Sequence, residues 1–485
     1  MPRHLSEPPS VPRWARVIDG ICLLLVLLGV IAATTGGFRQ SIAGVRVSVT
    51  SPYPVLLWAV VLAVVRHIAA PQGALYREFP LRLGRWLRRP QVRSAAMTVV
   101  ATRLPILVVG YFAVCMFGYV NGRPPLRHFN NELLNLPVRW DAGWYLQIVT
   151  DGYQFVPNES ELQQNIVFFP AYPLLVRAVG RLFGGHMTGY VWGGMAVSLA
   201  SFFAALLYLY AFVRDRLDDD KARYALWLIA SYPFALFFGA VYTESLFLLG
   251  AVGAFYHMTN AQFWRAALWG LLAGLTKPNG ALLSIPLAIL AVSPWMPAAA
   301  GRPVHRVALP NQPQPFTDWR TSHALAASAM PAVGLLLYAT FTWRLTGDPF
   351  IWARGQAAWG RTYEPITRVV AKQYSYIAHA GLSEYLTVGG YDVLNMIAAL
   401  FAIAAVWPVA RRMGLAYAAF ILVITLPPIA NGGWLSAGRF SAILFPVFVW
   451  LADVVPERHR PIWIVGFTAF QTLNATLFYT WRPLI

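Results

Sequence analysis

An all-α protein that crosses a membrane many times is the fold class this sequence predicts, and three observations predict it. Hydrophobic residues make up 58% of the 485 and charged residues only 12%, more apolar material than one soluble core can use. The apolar residues come in long blocks, of a length that suits membrane spans. The remaining charges, 38 basic against 20 acidic for a formal +18, gather as arginine clusters between those blocks, where they set topology rather than bind nucleic acid. Lysine occurs only as Lys221, Lys277 and Lys372, an arginine bias that points to a GC-rich bacterial genome. Cys22 and Cys115 both fall within expected spans, so no disulfide framework is readable. Fixed-period repeats, coiled-coil heptads and long low-complexity tracts are absent.

In order along the chain, residues 1–16 form a Pro-rich basic tail. The apolar run 17–34 is too long for a signal peptide and lacks a small-residue cleavage site, so it is expected to remain as a first span. A second covers about 53–70, with Arg66 and His67 near its end reaching for the headgroups. Arg77, Arg82, Arg85, Arg88, Arg89 and Arg93 then crowd one short loop, which the positive-inside rule places in the cytoplasm with the N-terminus. The third span, 96–120, therefore ends outside, and the aromatic region that follows is extracytoplasmic. A fourth span, 187–213, returns to a turn at 214–223 that is basic although diluted by Asp218, Asp219 and Asp220. Two short spans, 224–240 and 244–258, flank the outer turn Val241-Tyr242-Thr243-Glu244-Ser245. Both are shorter than the ~20 residues a bilayer asks for, so the turn can sink and let Glu244 line an outward cavity.

Counting back from the C-terminus, Arg411-Arg412 and Glu457-Arg458-His459-Arg460 mark inner loops. Spans near 391–410, 415–429, 440–455 and 462–479 then put 343–390 and 431–439 outside and the Pro-rich stretch 293–323 inside. For both counts to agree, 266–292 has to begin and end on the cytoplasmic side. Thr276-Lys277-Pro278-Asn279-Gly280 at its middle loses a backbone donor and tolerates a turn, so a pair of half-helices is the economical solution, a miscounted span elsewhere being the alternative. The expected total is about 11–13 transmembrane segments.

The longest polar break in the first half is Arg139-Trp140-Asp141-Ala142-Gly143-Trp144-Tyr145, followed by Asp151-Gly152-Tyr153 and Phe168-Phe169-Pro170-Ala171-Tyr172-Pro173. A carboxylate among tryptophans and tyrosines just outside an apolar span suits chemistry at the lipid–water boundary. Asp141, Trp144, Tyr145 and Ile148 share one face if the segment is an interfacial helix. An aromatic belt with Asp141 as an ordinary helix cap is the plainer alternative. A second amphipathic helix is expected from the Phe168 series, with Arg177 and Arg181 one turn apart. Glu244 is a functional candidate by its depth, or else the partner of a nearby arginine or a helix cap. Lys277 stands almost alone in apolar surroundings at a break that frees backbone N–H groups, and a cation with free amides suits a phosphate. Arg439, directly before an apolar span on the outer side, is a second candidate of that kind, or a snorkelling topology residue. Trp352, Gln356, Trp359 and Arg361 outline a further interfacial helix.

Missing are a nucleotide-type Gly-rich loop, a His/Cys metal cluster, HExxH and a nucleophile elbow. Asp141 has no acid two residues on, so neither a metal nor a cofactor is expected.

The series at 139–145, 151–153 and 168–173, with Tyr-Thr-Glu-Ser-Leu-Phe at 242–247, Lys-Pro-Asn-Gly at 277–280 and Arg-Phe…Phe-Pro at 439–446, resembles the PIG-V-like mannosyltransferases of the GT-C superfamily. These are bacterial relatives of the enzyme that adds the second mannose to the GPI anchor. The match runs in order from about residue 96 to 450. It implies a GT-C fold with amphipathic helices in the first outer loop. Residues 1–95 would be a tail plus two extra spans, and 96–293 a core with catalytic outer loop 121–186. Residues 294–323 would be a cytoplasmic linker and 324–485 the last spans with outer loop 343–390. The resemblance also implies a plasma-membrane enzyme that moves a sugar, expected to be mannose, with inversion. The donor would be a polyprenyl-phosphate sugar and the acceptor a hydroxyl of a lipid or glycan on the extracytoplasmic side. Asp141 and Glu244 would be its acids, with Asp141 as general base. Lys277, Asn279 and Arg439 would hold the donor phosphate. Arg139, Trp140, Trp144, Tyr145, Tyr172, Tyr242, Gln356 and Trp359 would line the substrates. At 277 a lysine stands for the family's usual arginine, which keeps the charge and loses the bidentate fork. A non-catalytic lipid or polysaccharide transporter is the alternative; it calls for paired broken helices in both halves, and the sequence shows one such break.

Overall fold

The computed structural model describes residues 12–35, 38–42, 45–49, 51–70, 82–120, 122, 126–157, 162–293 and 319–484. Arg77, the start of the tail and residues 294–318 of the expected linker lie outside them. Apart from one antiparallel hairpin, Phe38–Ile42 with Val45–Val49, the described secondary structure is helical. The hairpin falls between the first two expected spans. Val-Arg-Val-Ser-Val at 45–49 alternates at the strand period with β-branched residues, a local signal that a count of apolar blocks passes over.

Among the described residues five helices are long and apolar enough to cross a membrane: Pro52–Ala69, Pro90–Phe117, Met187–Arg214, Arg320–Thr346 and Gly390–Met413. Shorter apolar segments lie at Pro278–Val292, Leu415–Ala430 and Phe445–Val454. Several expected spans are interrupted, and proline is the cause in the clearest cases. The stretch 224–240 is the end of helix Asp219–Ser231 followed by a 3-10 turn, Ala235–Gly239, because Pro233 has no N–H to continue the ladder. The carbonyls freed there are answered from other helices. Arg103 Nη2 and Gln471 Nε2 donate to Ala230 O at 2.5 and 3.1 Å, and Asn474 Nδ2 to Pro233 O at 3.0 Å. A buried backbone break needs such partners in an apolar medium.

The chain divides into two compact units, Met1–Arg93 with Ala178–Gly193, and Ser94–Arg177 with Gly194–Ile485. In the first, helices Arg13–Thr35 and Pro52–Ala69 pack on each other. Arg66, expected to reach for the headgroups, is instead fully buried and paired to Asp19 through Nε and Oδ1 at 2.8 Å. A cation this deep is held by a partner rather than by snorkelling.

In the second unit, helix Phe263–Gly274 packs on Glu244–Thr259 and on Trp319–Thr346. The chain breaks after Gly274 and resumes as the 3-10 turn Pro278–Leu283 and helix Ser284–Val292, so Lys277 sits in the gap. Small residues allow the close approach of backbones: a Cβ at Gly274 would fall 2.0 Å from the carbonyl oxygen of Pro331. Gly274→Ala is therefore expected to destabilise the protein by ~1–3 kcal/mol through overpacking. Gly20→Ala, whose Cβ would meet nothing within 4 Å, is expected to be harmless. Thermal melting of the two variants in detergent checks this, and equal shifts would contradict the packing described.

Candidate functional site

Helix Ala142–Asp151 begins directly after Asp141, yet Asp141 does not cap it. Its backbone is helical, φ −58° and ψ −19°, and its side chain makes no capping hydrogen bond. The carboxylate turns to Arg439, whose Nη1 lies 2.6 Å from Oδ2. Arg439 Nε is 3.3 Å from Glu244 Oε1, and Lys277 Nζ donates to that same oxygen. Four charges thus run in one chain, Asp141, Arg439, Glu244 and Lys277, with side chains 18, 12, 1 and 7% exposed. Two cations and two anions compensate one another, the condition on which charges this deep are held.

Each of the four is delivered by a break in regular structure. Trp140 and Ser436 take φ of 53° and 62°, left-handed conformations that cost a non-glycine residue about 1–3 kcal/mol. Trp140 is held there by its Nε1, which donates to Phe478 O at 3.3 Å, and by its ring against Trp481 with centroids 5.1 Å apart. Ser436 precedes the short helix Ala437–Ala442 that carries Arg439. Gly438 lets that helix touch Phe234, since a Cβ there would fall 2.2 Å from the ring. Glu244 opens helix Glu244–Thr259, where the positive end of the helix favours a carboxylate.

Aromatic rings wall the charges. The Tyr242 hydroxyl accepts from the Asp141 N–H and donates to Arg139 O, both at 3.1 Å. Arg439 lies over Tyr242, Phe440 and Phe237 at 5.6, 5.7 and 5.9 Å, within the range of cation–π attraction. Tyr145 packs edge-on to Phe168, Tyr172 and Tyr242. Trp144 stacks on Phe168 and meets Trp359 edge-on at 5.2 Å, so the segment around Trp144 and the segment near 359 share one wall. Gln356 lies on the 3-10 turn Gly355–Trp359 beside it, half-buried.

Two expected lining residues face inward instead. Arg139 is wholly buried, its Nε donating to Tyr479 O at 3.0 Å, Nη1 to Asn135 O at 2.6 Å and Nη2 to Glu132 Oε1 at 2.6 Å. Tyr172 is also buried, its hydroxyl donating to Gly194 O at 3.0 Å. These contacts hold the backbone of the site in place.

One site residue escaped the sequence reasoning, which placed Arg361 on a helix face. Gly360, at φ 72°, ends the turn Gly355–Trp359, and the Arg361 guanidinium lies 5.5 Å from the centre of the Phe440 ring. Lys277 approaches the same ring at 5.5 Å. Among the described residues no carboxylate forms an ion pair with Arg361. Burial, with the neighbouring Arg439 adding to it, pushes its pKa down to about 10. Three cations therefore gather against two carboxylates, leaving one positive charge unmatched. Two buried polar atoms here, Glu244 Oε2 and Asn279 Nδ2, have no hydrogen-bond partner, so an acceptor and a donor are free for a ligand. Among the described residues no group of three or more His, Cys, Asp or Glu is placed to hold a metal.

Fold and site together define a many-span, helical membrane protein built around a walled chain of paired charges. Residues 125–292, which include Asp141, Glu244 and Lys277, match the family model described as mannosyltransferase (PIG-V). No curated relative matches the chain. Among solved structures it is similar to the oligosaccharyltransferase of Archaeoglobus fulgidus in complex with zinc and sulfate, at 13% identity and TM-score 0.35 over 77% of this chain and 53% of that one. It is similar too to the oligosaccharyltransferase AglB of the same organism with an inhibitory peptide and a dolichol-phosphate, at 12% and 0.32 over 78% and 55%. The chain spans about half the length of these structures.

Removing one member of the charge chain leaves the buried remainder with a charge less well compensated. Lys277→Met is expected to destabilise the protein by ~3–5 kcal/mol, and adding Glu244→Gln to recover a large part of that loss. A double-mutant cycle on melting in detergent checks it, and losses that simply add would contradict the pairing.

Proposed function

We propose that this protein is a membrane mannosyltransferase. It moves mannose with inversion from a polyprenyl-phosphate donor to a hydroxyl of a lipid or glycan acceptor, on the extracytoplasmic face of a bacterial plasma membrane. The family match over 125–292 supports the sugar and the reaction class. The observation that carries the chemistry is the Asp141–Arg439 pair, set beside Lys277 and the unmatched Arg361. The arginine clusters of the short loops support the orientation.

In this reading the acceptor oxygen attacks C1 of the sugar, and the bond from C1 to the phosphate oxygen breaks. Its electron pair leaves on the polyprenyl phosphate, and the hydroxyl proton passes to the Asp141 carboxylate. A carboxylate oxygen engaged by a guanidinium is not free to receive a hydroxyl proton. The donor supplies the remedy, because its phosphate competes with Asp141 for Arg439. Donor binding draws Arg439 toward the phosphate and frees Asp141 for the acceptor, so donor binds before acceptor. Lys277 and Arg361 then face the oxygen on which charge develops, and Asn279 Nδ2 supplies a neutral donor. Glu244 keeps Lys277 and Arg439 together between turnovers. Trp144 and Trp359 offer flat faces to sugar or prenyl chain.

Incubation of the purified protein with radiolabelled polyprenyl-phosphate mannose and membrane lipid extract is expected to give a labelled product; absence of transfer would leave a transporter or a structural role. Asp141→Asn is expected to lower transfer by about 10²–10⁴-fold while donor affinity is kept or improved, since Arg439 is released. Near-normal turnover would remove Asp141 from the base role. Arg361→Ala, on a loop, is expected to raise KM for the donor about tenfold, the worth of one charge-assisted contact, with melting unchanged; an unaltered KM would place Arg361 outside the donor site.

A further inference from the structure

A second charged site lies at the far end of the same helices. Helix Glu244–Thr259 has Glu244 as its first residue and Thr259 as its last, roughly 22 Å apart along the axis. Arg216 is fixed at that far end, Nη2 donating to Thr259 Oγ1 at 2.8 Å and Nη1 to Phe212 O at 2.9 Å. Beside it opens a shallow recess whose walls include Arg216, Arg412, Tyr417, Met413, Trp450 and Asp453. Asp453 is answered twice, by Lys221 Nζ at 2.9 Å and by Arg412 Nη1 at 2.6 Å. Among the described residues Arg216 has no carboxylate partner. Arg216 and Arg412 thus line the recess against Asp453 alone, with Lys221 also spent on that carboxylate, an excess of positive charge at a cavity that nothing in the proposed reaction uses.

We propose that this recess binds the phosphate headgroup of an anionic phospholipid, in the leaflet opposite the Asp141 site. A concentration of positive charge at a partly enclosed cavity favours an anion, and apolar walls beside the guanidinium groups favour one tethered to hydrocarbon. Met413 and Trp450 supply that wall. Trp407 and Leu415, on the helices that carry Met413 and Tyr417, are 69% and 53% exposed. Tryptophan and arginine belong together at a membrane interface, and basic pockets between spans on the cytoplasmic side suit anionic head groups. A purely topological role asks for exposed charge and no cavity. Arg411 fits that simpler part, its guanidinium lying over Trp407 at 5.3 Å and outside the recess lining.

The test is native mass spectrometry of the full chain in neutral detergent with phosphatidylglycerol, phosphatidylcholine of the same acyl chains, and inorganic phosphate. Phosphatidylglycerol is expected to be retained at least tenfold more strongly than phosphatidylcholine, and millimolar phosphate to leave it in place. Arg412→Gln is expected to weaken retention about tenfold, and Arg411→Gln, the same change in net charge, to leave it unaltered. Asp453→Asn, which removes the competing carboxylate, is expected to strengthen it. Equal retention of the two lipids, equal losses in both arginine variants, or weaker retention in Asp453→Asn would overturn the proposal. Ready displacement by inorganic phosphate would do so too, and would assign the recess to a free anion.

Discussion

The constraint on which the rest depends is the burial of Glu244. At 1% side-chain exposure its carboxylate cannot stand alone, because the desolvation of an unpaired ion far exceeds what any packing around it returns. Its pairing with Lys277 and Arg439 brings together two elements distant in sequence, the gap after Gly274 and the short helix Ala437–Ala442. Arg439, once recruited, has a second face to satisfy, and Asp141 meets it. The site is thus a consequence of solving one electrostatic problem inside an apolar protein.

That solution explains why so many helices here are short. A continuous span offers no free backbone and little room for a charged side chain to turn sideways. The elements that carry the four charges are the ones interrupted by Trp140, by Lys277-Pro278, and by Ser436 with its positive φ. The cost of these breaks is met by hydrogen bonds from neighbouring helices and by aromatic packing, chiefly Trp140 on Trp481 and Trp144 on Phe168 and Trp359. The resting pair Asp141–Arg439 also gives the site its proposed order of events, since a base already held by a guanidinium needs an incoming anion to release it.

Much of the site was legible because it is written in local chemistry. Asp141, Glu244, Lys277 and Arg439 each stand out as charge in apolar or aromatic surroundings, and the Lys277-Pro278-Asn279-Gly280 run marks its own break. What local chemistry does not carry is direction. Arg139 and Tyr172 sit in the same motifs as Asp141, yet their side chains turn to backbone carbonyls inside the protein. Arg361 looked like one polar residue on an amphipathic face until Gly360 turned the chain and brought it to Phe440, a meeting that depends on tertiary packing. Arg66 was misread for the same reason, because Asp19, its partner, lies on another helix. The interruption of the stretch 224–240 has a different cause: hydropathy measures apolar length, and Pro233 ends a helix without changing it.

The account is tested most directly by a structure of the protein bound to a non-transferable polyprenyl-phosphonate mannose analogue. It predicts the phosphonate against Lys277, Arg361 and Arg439, with Arg439 moved beyond ion-pair range, about 4 Å, from an Asp141 that faces C1 of the sugar. A phosphonate bound elsewhere, with the Asp141–Arg439 pair intact, would contradict it.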